Sequence, residues 1–84
     1  MKKRVMLEFN IVLENSRLKE DIGIEVLHFA KCMINILDVE YYRESFDDEG
    51  SVEPYTVIIL GTGIQITLDV EYNNFKEIHK KYNE

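Results

Sequence analysis

Val5, Leu7, Phe9, Ile11 and Leu13 take every second position near the start of the chain, with Met6, Glu8, Asn10, Val12 and Glu14 between them. A period of two belongs to a strand, and it lays the first set along one face and the second along the other. The chain must therefore build a sheet and find an apolar layer to cover at least one side of it. Asn15 and Ser16 are turn formers and are expected to end this strand.

The covering layer is expected from the residues that follow. At 100° per residue, Ile22, Val26, Leu27, Phe29, Ala30, Met33, Ile34, Ile36 and Leu37 fall on one half of a helix. Glu25, His28, Lys31, Cys32, Asn35 and Asp38 fall on the other, with Ile24 the one intruder. Ser16 or Asp21 can cap such a helix, and Lys19 on the apolar half favours a start nearer Asp21. An apolar half this wide exceeds the usual surface stripe of about 100°, so the helix is expected to lie flat on the sheet to about Asp38.

Further strands are expected at 40 to 46, with Tyr41, Tyr42 and Phe46, at 55 to 60 (YTVIIL), and over 64 to 72. In the last of these Ile64, Ile66, Leu68, Val70 and Tyr72 alternate with polar residues. Gly50 and Pro54 mark a loop over DDEGSVEP, and GTG at 61 to 63 predicts a three-residue hairpin connection. Phe75, Ile78 and Tyr82 recur at three and four, a short C-terminal helix. The element order is then βαβββα: an α+β fold with a mostly antiparallel sheet and one long amphipathic helix on one face. Met6 and Val12, with Ile58 and Leu60, are expected on the opposite face, an apolar set that would need cover from the C-terminal helix, a second copy or a partner.

Eighty-four residues make one domain, of a size that buries roughly 60–65% of its unfolded surface. A hydrophobic content of 45% beside 31% charge argues for folding rather than disorder. One cysteine excludes an internal disulfide, which suits a reducing cytoplasm. The basic opening MKKR does not lead into a secretion signal, since Glu8, Asn10 and Glu14 interrupt the apolar run, and no segment reaches the ~18 apolar residues of a membrane span. We expect a cytoplasmic chain with no membrane partner.

The motifs that would carry chemistry do not complete themselves. Aligning Gly50 with the glycine of a calcium loop puts Ser45 first, Asp47 third, Glu49 fifth and Thr56 where a bidentate glutamate belongs, so no metal is expected there. His28 and Cys32 would be one helical turn apart, but two residues make no zinc site, and Glu25 nearby disfavours a thiolate. LGTGIQ lacks the Lys and Ser/Thr of a phosphate loop. Asp69 and Glu71 have no pocket, His or Arg in view to tune them. The expectation is no catalytic residue, no metal and no cofactor.

The charge is more informative. Seven acids (Asp38, Glu40, Glu44, Asp47, Asp48, Glu49 and Glu53) face one base, Arg43, between residues 38 and 53, while the rest of the chain balances nine acids with nine bases. The net charge of −6 therefore lives in one window, and residues 38 to 55 also hold three of the five tyrosines. Such a chain is a poor direct binder of nucleic acid. Tyrosine and phenylalanine among carboxylates suit the surface of a basic protein instead. Glu40, Tyr41, Tyr42, Glu44, Phe46, Asp47, Asp48, Glu49, Glu53 and Tyr55 are the candidate partner-binding residues.

In size and charge the chain resembles the small acidic proteins of phages, and toxin-immunity proteins, that block a nucleic-acid-handling enzyme by occupying its basic groove. That resemblance implies a non-catalytic inhibitor of a nuclease or bacterial defence effector. The alternative is a homo-oligomeric structural or adaptor subunit, such as a homodimer, joined through Met6, Val12, Ile58 and Leu60.

Overall fold

The structure is a computed structural model that describes residues 4–14 and 27–83. Its elements are β1 (Met6–Glu14), β2 (Leu27–Asn35), a 3₁₀ turn (Ile36–Asp38), β3 (Val39–Phe46), β4 (Val52–Leu60), β5 (Gln65–Leu68) and a helix, α1 (Tyr72–Asn83). The five strands form one sheet in the order β2-β1-β5-β4-β3, with every neighbour antiparallel. The fold is therefore α+β, with one sheet and a C-terminal helix.

The long helix is the main correction. Residues 27 to 35 are a strand that pairs with β1 without a break, from Met6 opposite Asn35 to Glu14 opposite Leu27. The proposed caps Ser16 and Asp21, with Lys19, Ile22, Ile24, Glu25 and Val26, lie outside the described residues. The misreading has a physical cause. LHFAKCMIN is apolar on both faces as a strand, so its period of two is masked and a helical period fits equally well. What decides the matter is the nine-residue partner in β1, a contact between distant residues that local pattern cannot register.

Asn35 ends β2. Its Oδ1 accepts from the backbone nitrogens of Val5 and Leu37, each at 3.2 Å, and so starts the 3₁₀ turn while holding it to β1. Those three turn residues join the two opposite edges of the sheet. Four peptide steps span at most about 14 Å, whereas the edges of a flat five-stranded sheet lie about 19 Å apart. The sheet must therefore curl at this corner, and Ile36 and Val39 enter the core there.

Phe9, Ile34, Ile36, Val39, Ile58, Leu68 and Phe75 form that core. It lies between the concave side of the sheet and α1, so the C-terminal helix supplies the layer that the sequence reading gave to residues 21 to 38. Phe75 is fully buried, 5.9 Å from the ring of Phe9 and edge-on to Tyr42 at 5.1 Å. Ile78 and Tyr82 pack around it at the spacing read from sequence.

Both hairpins use the same loop. Gly50 N donates to Asp47 O and Asp47 N to Ser51 O; likewise Gly63 N donates to Leu60 O and Leu60 N to Ile64 O. Each is a three-residue connection closed by a glycine in the left-handed region, at φ 85° and 87°. Among the described residues nothing lies within 4 Å of where a Cβ on Gly63 would stand, so Gly63→Ala tests backbone strain. It is expected to cost about 1 kcal/mol in chemical denaturation. The strand β4 starts earlier than expected, at Val52, and runs through Pro54. Glu44 pairs with Thr56 but Ser45 pairs with Glu53, so Pro54 and Tyr55 occupy a bulge, where proline removes no ladder bond. The last strand is shorter than its alternation suggests: it stops at Leu68, and α1 begins at Tyr72.

Candidate functional site

The acidic window folds as β3, the turn at 47 to 51 and the first half of β4. Alternation and the bulge divide its side chains among three surfaces. Tyr42 stands opposite Ile58 on the helix side, where its ring contacts Tyr72 at 5.7 Å, Phe75 at 5.1 Å and His79 at 4.9 Å. It is committed to holding α1. Tyr41, opposite Ile59, points to the other face and is 53% exposed. Tyr55 also lies on that face, half-buried beside Phe29 at 6.5 Å. The ten residues proposed from sequence thus do not share one surface.

The end of the β3–β4 hairpin does bring a subset together. Phe46 and Val52 are a cross-strand pair, 51% and 59% exposed, directly before and after the turn. Asp47, Asp48 and Glu49 form the tip and are all exposed. Asp47 has a structural task as well: its Oδ1 accepts from Glu49 N and Ser51 N, both at 2.9 Å, which fixes the turn. Ser45 Oγ donates to Glu53 Oε1 at 2.8 Å and ties the two strands at the base of the hairpin. Val52 falls within DDEGSVEP, which reads as loop from sequence, and only the pairing register puts it next to Phe46.

Behind the hairpin lies a groove of about 270 Å³, lined by Glu44, Val52, Glu53, Pro54, Glu71, Tyr72 and Asn73. It gathers Glu44 and Glu53 of the window with Glu71, which precedes α1. Glu71 is 18 or more residues from the other two, so no local pattern links them. The window's single base does not neutralise this surface. Arg43 Nη1 donates to the carbonyl oxygen of Glu44 at 3.0 Å, and among the described residues no carboxylate of the window is ion-paired. Glu40 is exposed on β3.

The remaining sequence candidates separate. His28 and Cys32 belong to a strand, where four residues span about 13 Å rather than one helical turn; Cys32 is half-buried against the core. Asp69 lies past the end of β5, its backbone nitrogen donating to Asn10 O. Among the described residues no group of three or more His, Cys, Asp or Glu has the geometry to hold a metal ion, and no helix is long and apolar enough to cross a membrane.

The set Met6, Val12, Ile58 and Leu60 is not one face. Ile58 is fully buried beneath α1 and Leu60 packs against the same core. Met6 and Val12 lie on the opposite side, together with Phe29, Met33 and Tyr41. Of these, Met6, Phe29, Met33 and Tyr41 are between 45% and 53% exposed. The parity error follows from orienting β4 without knowing its neighbour: a shift of one residue exchanges the faces.

No protein-family model, curated protein or solved structure matches this chain.

Proposed function

We propose that the chain is a non-catalytic inhibitor that binds a basic surface, the nucleic-acid channel of a nuclease or bacterial defence effector, through the end of its β3–β4 hairpin. The observation that supports this most is the exposed Phe46 and Val52 pair on a turn fixed by Asp47 and tipped with Asp48 and Glu49. An apolar pair ringed by charge is the form of an interface anchor with a steering rim. The carboxylates would stand where phosphates bind and speed association, while Phe46 would be desolvated in the contact. Tyr42, held under α1, has no place in that contact; Glu44, Glu53 and Glu71 extend the negative surface behind it.

The test is capture from a nuclease-treated bacterial lysate with the wild type and with the triple variant Asp47→Asn, Asp48→Asn, Glu49→Gln. Asparagine keeps the Oδ1 acceptor that closes the turn, so the variant removes charge without removing the hairpin. A basic nucleic-acid enzyme is expected on the wild type, with affinity falling steeply as salt rises and at least about tenfold lower for the variant. Binding indifferent to both would remove the phosphate-mimic reading.

A homo-oligomeric structural or adaptor subunit is the second reading. It is supported by the exposed Met6, Phe29 and Met33 on the face opposite α1.

A further inference from the structure

The two edges of the sheet are unlike. At one edge β3 carries Glu40, Arg43 and Glu44, and its pairing with β4 is interrupted twice, between Val39 and Tyr41 and between Glu44 and Ser45. Charge and bulges of this kind prevent a strand from accepting another beside it. At the other edge β2 has nine residues with a single formal charge, Lys31, and its pairing with β1 has no irregularity. Among the described residues β2 is paired on one side only. A long, regular, apolar edge is a template for one more strand.

The hydrogen-bonding groups on that free side can be placed. Ile36 N donates to Val5 O at 3.0 Å, so the bonded rungs of the β1–β2 ladder fall at Ile34, Cys32, Ala30 and His28. The alternation of an antiparallel pair then turns the N–H and C=O of Phe29, Lys31 and Met33 outward. The side chains of Phe29 and Met33 are just over half exposed on the face away from α1, and that of Lys31 is 76% exposed.

We infer that β2 pairs with β2 of a second copy, antiparallel about a two-fold axis, to make one continuous ten-stranded sheet. The chain's own charge selects this occupant. With the whole excess of −6 confined to residues 38 to 53, pairing through β2 leaves the two acidic windows at the outer edges. Pairing through β3 would press them together, and a head-to-tail joint would need the bulged β3 to accept β2. The two-fold axis requires residues on the same face to oppose one another, and centring it on Lys31 would set two ammonium groups side by side. An axis through Ala30 or Cys32 avoids this by setting each Lys31 opposite Phe29 or Met33 of the other copy. Phe29 and Met33 of both copies then lie on one face of the joint, with the aliphatic stems of the two Lys31 side chains between them. This inference deepens the oligomer reading and is independent of what the hairpin end binds.

Light scattering over a hundredfold dilution series tests it with two variants. Lys31→Pro deletes an outward N–H without touching the β1 ladder, and Met33→Lys adds a charge at the same edge, giving a second route if the proline variant does not fold. The wild type is expected to show twice the chain mass at high concentration. Lys31→Pro, with an unchanged circular dichroism spectrum, is expected to raise the dissociation constant about thirtyfold, since one donor is lost from each copy. A wild type that is monomeric throughout overturns both the inference and the oligomer reading. A dimer whose affinity is unaltered in both folded variants overturns the β2 joint while leaving the oligomer reading in place.

Discussion

Phe75→Ala is expected to lower the stability of the chain by about 3–5 kcal/mol, the usual loss when a buried phenylalanine is truncated. The site makes the upper part of that range the better expectation. Phe75 is fully buried, it is the one buried residue of α1, and its ring meets Phe9 from β1 and Tyr42 from β3. Those two strands lie on different sides of the weakest junction in the sheet, because β1 and β5 are joined by a single paired position, Ile11 with Leu68, and the bond from Asp69 N to Asn10 O. Phe75 therefore bridges the β1–β2 pair and the β3–β4–β5 unit as well as anchoring the helix. A domain of this length has roughly 4–13 kcal/mol of stability in total, so the variant should lose from about a third of it to all of it. Urea denaturation followed at the tyrosine signal would show the midpoint falling. A loss below about 1 kcal/mol would mean that α1 does not hold the two halves together.

The role of Phe75 also shows which parts of this fold can be read from sequence. The spacing of Phe75, Ile78 and Tyr82 defines a helix face without outside information, and the GTG loop defines its hairpin, because both signals are complete within a few residues. β1 is legible for the same reason. β2 is not, since a strand with apolar residues on both faces has no period of its own, and its identity comes from a partner about twenty residues away in the chain. The function-bearing surface divides along the same line. The concentration of acids in 38 to 53 is a property of composition and is visible at once. Which of those side chains act together depends on alternation, on the bulge at Pro54 and on the docking of α1, and these remove Tyr42 from the surface, turn Tyr41 and Tyr55 to the far side, and add Val52 and Glu71.

Ile58→Asp and Met6→Asp are expected to part company sharply, although alternation alone assigns the two residues to one face. Ile58 has no exposed surface and faces α1 within the core. An aspartate there would be an ionisable group without a partner in an apolar setting, and either its ionisation or its neutralisation by a raised pKa costs free energy that the fold must supply. The loss should exceed about 4 kcal/mol, enough to leave much of a chain of this size unfolded by circular dichroism. Met6 is 45% exposed on the opposite side, where an aspartate keeps its water, so the expected cost is about 1 kcal/mol or less, mostly strand propensity. The comparison reads the orientation of β4 directly. Two unfolded variants would place Met6 in a core as well, and two folded ones would take Ile58 out of it. With only Ile58→Asp unfolded, the face that carries Met6, Phe29 and Met33 is left folded and free to be tested for what covers it.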